Sequence, residues 1–413
     1  MKKTVAIIGG GASGIIASIY AAKRGYNVII LERNSTCCKK ILITGNGKCN
    51  YFNDDWNLKH YQTNSVEKIA TVINDENKKE ILSFFNKIGI VPKIKNGYYY
   101  PYSNQAVSIK TNLLREATLN GVVIKNDCFV EKVEKKDNHF LINVNEEIIV
   151  ADAVIIATGS KACPKTGSDG NGYTLVESFG HTVVPVLPSL VPLKTKGKFL
   201  KEWNGIRTDV NISLYVDGVK LKEEYGEIQL TDYGISGICV FNLSSLANIN
   251  LAKERKVLVK INFIPWVDSI NTFINFIDNQ YNKNKKDIMS LLEGILNYKL
   301  VSVLLKEIGV NIDTIFDDLT SNDLEKIYKQ LSQFELEIIG SQDYDKAQVC
   351  SGGVSLLEVD MNTMQSKLVD NLYFTGEILD VDGDCGGYNL AFAWVSGMIA
   401  GKEVLKDDIS KTN

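Results

Sequence analysis

Gly9, Gly11 and Gly14 stand at the G-x-G-x-x-G spacing, and Glu32 follows Gly14 by 18 residues. These residue types at this spacing suit a dinucleotide. Gly9 permits a tight turn, Gly11 lets a pyrophosphate approach bare backbone, and Gly14 lets the next helix lie close to the preceding strand. The helix N-terminus adds free N–H groups and a positive dipole end for the phosphates. Glu32 can accept hydrogen bonds from a ribose diol, and its charge repels a 2′-phosphate. The elements that must hold these residues are present in order. Thr4–Ile8 is an apolar strand, a helical stretch runs to Arg24, and Asn27–Leu31 is a second apolar strand ending on the acid.

A second group lies near the other end of the chain. Asn371–Glu377 reads as an apolar strand closing on Gly376 and Glu377, an acid placed to lie beside a ribityl chain. A loop rich in acids and glycines, Asp380–Gly387, leads into a helix that begins at Tyr388, Asn389 and Leu390. Its small residues, Ala391, Ala393, Ser396, Gly397, Ala400 and Gly401, predict close packing on one face. The N-terminus of that helix can face the N1–C2=O edge of a flavin, where reduction places negative charge. The two groups together favour FAD over NAD.

The 413 residues are 45% hydrophobic and 23% charged, which is ordinary globular composition and enough for two or three domains. A net charge of −3 gives no general attraction to nucleic acid or anionic membrane, so neither is expected as a partner. No uninterrupted apolar run is long enough for a membrane span. Lys2-Lys3 before an apolar stretch imitates a secretory signal, but glycines interrupt that stretch, so a cytoplasmic setting is expected. The eight cysteines, Cys37, Cys38, Cys49, Cys128, Cys163, Cys239, Cys350 and Cys385, are scattered without a C-x-x-C pair. A reduced setting fits them, and they signal no metal site. With only His60, His139 and His181, a histidine-rich site is not expected, and no catalytic acid or base is assigned.

Between the two ends the pattern changes. Helices are expected near Ser65–Ile73 and Lys78–Ile88 and over Gln105–Asn120. Short strands follow at Val122–Lys125, Phe129–Lys135, His139–Val144 and Glu147–Val150, then a buried strand at Ala153–Ala157. Leu190–Ile264 reads as short strands with turns, and Asp268–Leu331 as helices. The basic run Asn282–Lys286 reads as an exposed turn between helices. The expected plan is an FAD-binding domain at 1–189 and 346–413, interrupted by an insert at 190–345. The insert is mainly β over 190–266 and mainly helical over 267–332.

Several blocks carry a family resemblance. Lys39–Asn50 resembles a K-K-I-L-I-S-G-N-G-R-C-N block. Ala157-Thr158-Gly159 with Pro164 and Gly167–Tyr173 resembles a second motif. Pro188–Leu193, Thr231–Gly237, Gly352–Asp360 and Gly376–Gly397 match further blocks. The sequence is identified by them as similar to the HI0933-like flavoproteins, described as bile-acid reductase-like NAD(P)/FAD-dependent oxidoreductases. The resemblance implies an α/β fold: a glutathione-reductase-type, Rossmann-like FAD domain, discontinuous in sequence, with an inserted β-barrel-like domain and a helical subdomain. Carried over by position, Gly9, Gly11, Ala12, Ser13, Gly14, Glu32 and Arg33 hold ADP, and Val130, Ala157, Thr158 and Gly159 touch the same half. Lys40, Gly45, Asn46, Gly47, Cys49 and Asn50 lie along the pyrophosphate and flavin. Gly376, Glu377, Gly387, Tyr388, Asn389 and Leu390 meet the ribityl chain and ring. The chain departs from the family pattern at Cys38, where glycine is usual, and at Lys48, where arginine is usual.

Only one complete glycine fingerprint is present, so NAD(P)H is expected as a transient co-substrate rather than the ligand of its own domain. The expected activity is reduction of a small enone-like or steroid-like molecule. The alternatives are oxidation of a small amine such as aminoacetone by oxygen, or action on a macromolecule as an RNA-modifying or electron-transfer flavoprotein. Cys49 and Cys385 fall in loops expected on the flavin side, where free thiols are the expected state. Tyr98-Tyr99-Tyr100 can line a pocket or pack.

Overall fold

The computed structural model describes residues 2–284 and 286–406, which form two compact units, 2–188 with 347–406, and 189–346. Lys285 and the side chains of Lys283 and Asn284, within the basic run Asn282–Lys286, lie outside the described residues.

The first unit is organised by a seven-stranded sheet. Its order is Val359–Asp360, Gln365–Ser366, Leu372–Phe374, Ala153–Ile156, Thr4–Ile8 (β1), Asn27–Leu31 (β2) and Val123–Lys125. The last five are mutually parallel. Val5, Ala6, Ile7, Val154, Ile155 and Ile156 are all buried. A parallel strand covered on both faces needs such an unbroken apolar run. Helix α1, Ala12–Lys23, packs on β1 and against the C-terminal helix Tyr388–Glu403. An antiparallel meander, Val130–Lys136, His139–Val144 and Glu147–Ala151, packs on the same sheet. Two small pairings tie distant segments together. Tyr61–Gln62 pairs with Asp382–Gly383, and Tyr98–Pro101 lies between Phe52–Asn53 and Pro92–Lys95.

The second unit is a closed six-stranded barrel with helices. The strand order is Leu193–Thr195, Gly234–Ser236, Val219–Leu230, Arg207–Val216, Val257–Asn262 and Phe334–Ser341. It has its own apolar core around Trp203, Phe273 and Phe334. The helical stretch resolves into Ile270–Asn284, Ile288–Leu292, Tyr298–Glu307 and Ser321–Ser332.

Two local expectations change. Ser65–Ile73 forms only a 3₁₀ turn, Val66–Thr71, rather than an α-helix. Ile238–Leu251, in the stretch read as β, is a 14-residue helix. Its buried residues include Cys239, Val240, Leu243, Ser244, Ser245, Ala247, Asn248 and Asn250, so burial extends around the cylinder and no apolar stripe marks a helical period. Among the described residues no helix is long and apolar enough to cross a membrane.

The two chain ends are joined by glycines. A Cβ on Gly397 would fall 2.3 Å from the Ser13 carbonyl oxygen, and one on Gly401 would fall 2.5 Å from that of Ala17. The helices therefore meet backbone to backbone. Gly397→Ala is expected to destabilise the protein by about 3 kcal/mol, the upper range for an overpacked core. Gly294→Ala, whose new methyl would meet only the Leu291 oxygen at 3.9 Å, is the control expected to leave denaturant midpoints nearly unchanged.

Candidate active site

The glycines after β1 divide by what lies above them. A Cβ on Gly9, where φ is +100°, would stand 2.6 Å from the Ala157 oxygen. One on Gly14 would stand 2.0 Å from the Gly9 oxygen, and one on Gly10 would stand 2.3 Å from Cys37 Sγ. These three are glycine because protein fills the space. Around Gly11 there is nothing within 4 Å. Gly11 is also the N-cap of α1, which has no side-chain cap and no acid in its first turn. An open, uncapped, acid-free helix N-terminus is a cradle for phosphate.

Glu32 is buried and already braces this turn. Its Oε2 accepts from the Gly10 N–H at 2.8 Å, and its Oε1 accepts from the Asn34 N–H at 2.8 Å and from Asn34 Nδ2 at 2.7 Å. A carboxylate has about four acceptor positions, so one remains for a ribose hydroxyl. Arg33 pairs with Asp169 at 2.6 Å and lies over the Phe129 ring. Ala157–Gly159 turns beneath Gly9, and Gly159 faces Ser168. Val130 is buried nearby, its carbonyl accepting a long hydrogen bond from Asn171 Nδ2. Ala12 is half-buried at the first turn of α1. Ser13 points inward, its hydroxyl donating to the Thr375 oxygen across 362 residues of sequence.

That bond leads to the second group. A Cβ on Gly376, where φ is +72°, would strike Ser13 Oγ. Glu377 Oε2 pairs with Lys40 Nζ at 2.7 Å and accepts from Ser160 Oγ at 3.1 Å. Lys40 begins a 3₁₀ segment, Lys40–Gly47, in which Gly45 and Asn46 both adopt left-handed backbone and are exposed. Gly47 is half-buried with only the Leu42 oxygen near its Cβ position. Cys49 is buried, and a Cβ on Gly387 would sit 3.0 Å from Asn50 Oδ1 and 2.8 Å from the Phe52 oxygen. Gly387 is the N-cap of the helix Tyr388–Glu403, again without a side-chain cap or an acid in the first turn. Asn389 acts as a brace, bonding both the N–H and the carbonyl of Gly383 at 2.8 and 2.7 Å. Leu390 packs on the core.

The residues read from the sequence thus gather at two helix N-termini linked through Ser13. They fit a long dinucleotide, because the space above Gly11 is open and both helix N-termini leave backbone N–H groups uncapped and without an acid in the first turn.

Sequence reasoning missed one constellation. His60 Nε2 lies 2.9 Å from Asp55 Oδ2, and its Nδ1 lies 3.2 Å from Asp384 Oδ2. Its ring stacks on Tyr388 at 4.3 Å between centroids. Lys59, then His60, holds the Asp55 carboxyl below its usual range. Trp56 Nε1 donates to the Tyr61 hydroxyl, which donates to the Tyr388 oxygen. No sequence signal could have found it, because the pairing of Tyr61 with Gly383 that brings His60 to Asp384 joins residues more than 300 positions apart. Tyr98 and Tyr100 approach Gly386 and Gly45, whereas Tyr99 turns away and donates to Asp54 at 2.6 Å. His181 is buried with its Nε2 at 2.8 Å from Ser366 Oγ. All eight cysteines are free, and burial pushes the Cys49 thiol up to about 12. Cys38, at the position where glycine is usual, has φ +61°, the left-handed backbone that explains a glycine there.

The sequence profile of the HI0933-like protein Rossmann domain matches residues 3–403. The chain belongs to the HI0933-like family. This HI0933-like protein is 37% identical over 400 residues to a 3-dehydro-bile acid delta(4,6)-reductase of Clostridium scindens, covering 96% of this chain and 98% of that one. It is 27% identical over 403 residues to a ribosomal RNA dihydrouridine synthase of Escherichia coli, covering 97% of each. Among solved structures it is similar in fold to a 3-ketosteroid-delta4-(5alpha)-dehydrogenase of Rhodococcus jostii RHA1. That match has a TM-score of 0.51 and 13% identity, and it covers 98% of this chain and 97% of the other. A flavocytochrome c3 fumarate reductase matches with a TM-score of 0.50 and 14% identity, covering 98% and 78%. The HI0933-like chain is a FAD-dependent oxidoreductase.

Two expectations follow from the glycines and the thiol. Gly11→Ala is expected to cost the apoprotein less than about 1 kcal/mol of stability, the range for an N-cap change, yet to weaken FAD binding at least tenfold, about 1.4 kcal/mol. Gly14→Ala is expected to cost about 3 kcal/mol by overpacking. Paired denaturation and flavin titration read both, and equal effects of the two substitutions would sink the cradle. Iodoacetamide at pH 8 is expected to alkylate Cys49 only after unfolding, because its thiolate forms only near the raised value of about 12; peptide mass spectrometry reads the labelling.

Proposed function

We propose that this chain is a reductase of carbon–carbon double bonds conjugated to a ketone, acting on a steroid-like small molecule in a reducing, cytoplasmic setting, with NAD(P)H as electron source. The observation that carries the reading is the 37% identity to a bile-acid reductase across 96% of the chain, together with the two-ended cradle. The names of the relatives share one chemistry. Delta(4,6) reduction and dihydrouridine formation both add hydrogen across a double bond conjugated to a carbonyl. FAD, when bound, supplies the hydride chemistry.

The chain's own residues supply the rest. Gly9, Gly11, Ala12 and Gly14 offer the pyrophosphate the open N-terminus of α1, with Ser13 fastening that turn from behind. Glu32 and Arg33 meet the adenosine ribose, and Val130 with Ala157–Gly159 covers the adenine half. Lys40, Gly45, Asn46, Gly47, Cys49 and Asn50 line the pyrophosphate and flavin. Gly376, Glu377, Gly387, Tyr388, Asn389 and Leu390 border the ribityl chain and ring, where the positive end of the C-terminal helix favours the charge of the reduced state. A single glycine fingerprint supports transient docking of NAD(P)H beside the flavin.

A second reading, reduction of uridine in ribosomal RNA, is favoured by the relatives of that name at 27% and 28% identity. Oxidation of a small amine is the third. Anaerobic mixing of the purified holoprotein with NADH, NADPH and aminoacetone, followed by flavin absorbance, separates them. Bleaching by NAD(P)H and recovery on adding a 3-oxo-4-ene steroid is the expected result. Bleaching by aminoacetone with peroxide on admitting air would sink the reductase reading. An inert steroid together with dihydrouridine formed in a ribosomal RNA transcript would replace it with the RNA reading.

A further inference from the structure

The loop ahead of Gly387 is fastened by its backbone before any charged side chain is counted. Asp382 stands opposite Gln62 and Gly383 opposite Tyr61, and the Asp384 N–H donates to the His60 oxygen at 2.8 Å. The Tyr61 hydroxyl donates to the Tyr388 oxygen at 2.9 Å, and Asn389 holds both backbone groups of Gly383. The imidazole of His60 adds a further link. Its Nε2 lies 2.9 Å from Asp55 Oδ2, and its Nδ1 lies 3.2 Å from Asp384 Oδ2.

These three side chains form a graded line from solvent inward. That of Asp55 is 53% exposed, that of His60 19% and that of Asp384 11%. Lys59 also meets Asp55, at 2.7 Å. The ring of Tyr388, the first residue of the C-terminal helix, lies nearly flat on the imidazole, with 4.3 Å between centroids and 18° between planes. The stack holds the ring with one nitrogen toward each acid. A neutral imidazole has one N–H and one lone pair, whereas a carboxylate only accepts. The bridge therefore serves both acids only while the ring carries an extra proton, and one of them otherwise. That property adds little to a loop already fastened by backbone. It suits a group that takes a proton at one nitrogen and releases one at the other.

We propose that Asp55, His60 and Asp384 pass protons from solvent to the flavin end of the site, with His60 as the positioning residue that links the exposed acid to the buried one. This rests on the reductase reading above. Saturating a double bond conjugated to a ketone takes one hydride and one proton. The hydride comes from NAD(P)H by way of FAD. The proton enters the ring at Nε2 from Asp55 as the Nδ1 proton leaves to Asp384, and exchange with water at the partly exposed ring restores the first tautomer. Asp384, three residues ahead of Gly387, then carries the proton in the loop that borders the proposed flavin end.

The test uses holoprotein carrying His60→Ala or His60→Asn. Each is reduced anaerobically with NADH or NADPH and mixed with a 3-oxo-4-ene steroid, and stopped-flow absorbance follows flavin reoxidation. His60→Ala is expected to slow reoxidation about tenfold or more, to leave KM for the steroid nearly unmoved, and to recover as free imidazole is added. His60→Asn fills the space and still donates a hydrogen bond but passes no proton, so it is expected to be as slow and to gain nothing from imidazole. A fast Asn variant, or an Ala variant that imidazole does not restore, would overturn the relay and leave a structural bridge. A second readout needs no steroid. Photoreduction of the holoprotein with EDTA as electron donor, in weak buffer with a pH indicator, reads the proton taken up with the electrons. Uptake is expected to keep pace with flavin bleaching in the natural protein and to lag behind it in His60→Ala; uptake in pace in the variant would overturn the proposal. If the steroid leaves the reduced flavin unchanged, the reductase reading fails, and photoreduction alone decides the relay. If His60→Ala does not retain FAD, Asp55→Asn at the exposed end takes its place: lagging uptake sustains the relay, and uptake in pace ends it.

Discussion

The close crossing of helix α1 with the C-terminal helix is the constraint on which the first unit depends. Gly397 and Gly401 allow it, since a methyl at either would run into the carbonyl of Ser13 or Ala17. The crossing closes a domain whose sequence is interrupted by more than 150 residues of independent barrel and helices. It sets Ser13 against Thr375 and Gly376, so that the glycine turn after β1 and the loop ahead of Gly387 become parts of one site. Two uncapped helix N-termini are then joined through this crossing, neither with an acid in its first turn, and the proposed dinucleotide would lie across both.

Around that frame several polar side chains act as braces within the protein. Glu32 braces Gly10 and Asn34, Asn389 braces Gly383, and His60 lies between Asp55 and Asp384. Cys38, Asn46 and Cys49 all hold left-handed backbone in the segment that borders the proposed flavin. Non-glycine residues keep such conformations only where surrounding structure imposes them.

The sequence by itself determined what is local. Thr4–Ile8, the three spaced glycines and Glu32 announce strand, turn and acid, because each role is met within a few residues of backbone. Gly376–Glu377 and the helix from Tyr388 are legible for the same reason. The family blocks added Lys40 and Gly45–Asn50. The helix Ile238–Leu251 was not legible, because a segment buried all around carries no period. Only the tertiary structure decided which partners the distant residues take. Lys40 meets Glu377 across 337 residues, and His60 meets Asp384 across 324. It also decided that Tyr98 and Tyr100 face the loops while Tyr99 does not, and that Gly11 alone among its neighbours opens onto free space. The physical reason is common to all of these. A propensity or a spacing fixes the direction of a short stretch of chain, whereas an ion pair, a ring stack or an open cradle depends on where packed backbones bring two remote stretches to within a few ångströms.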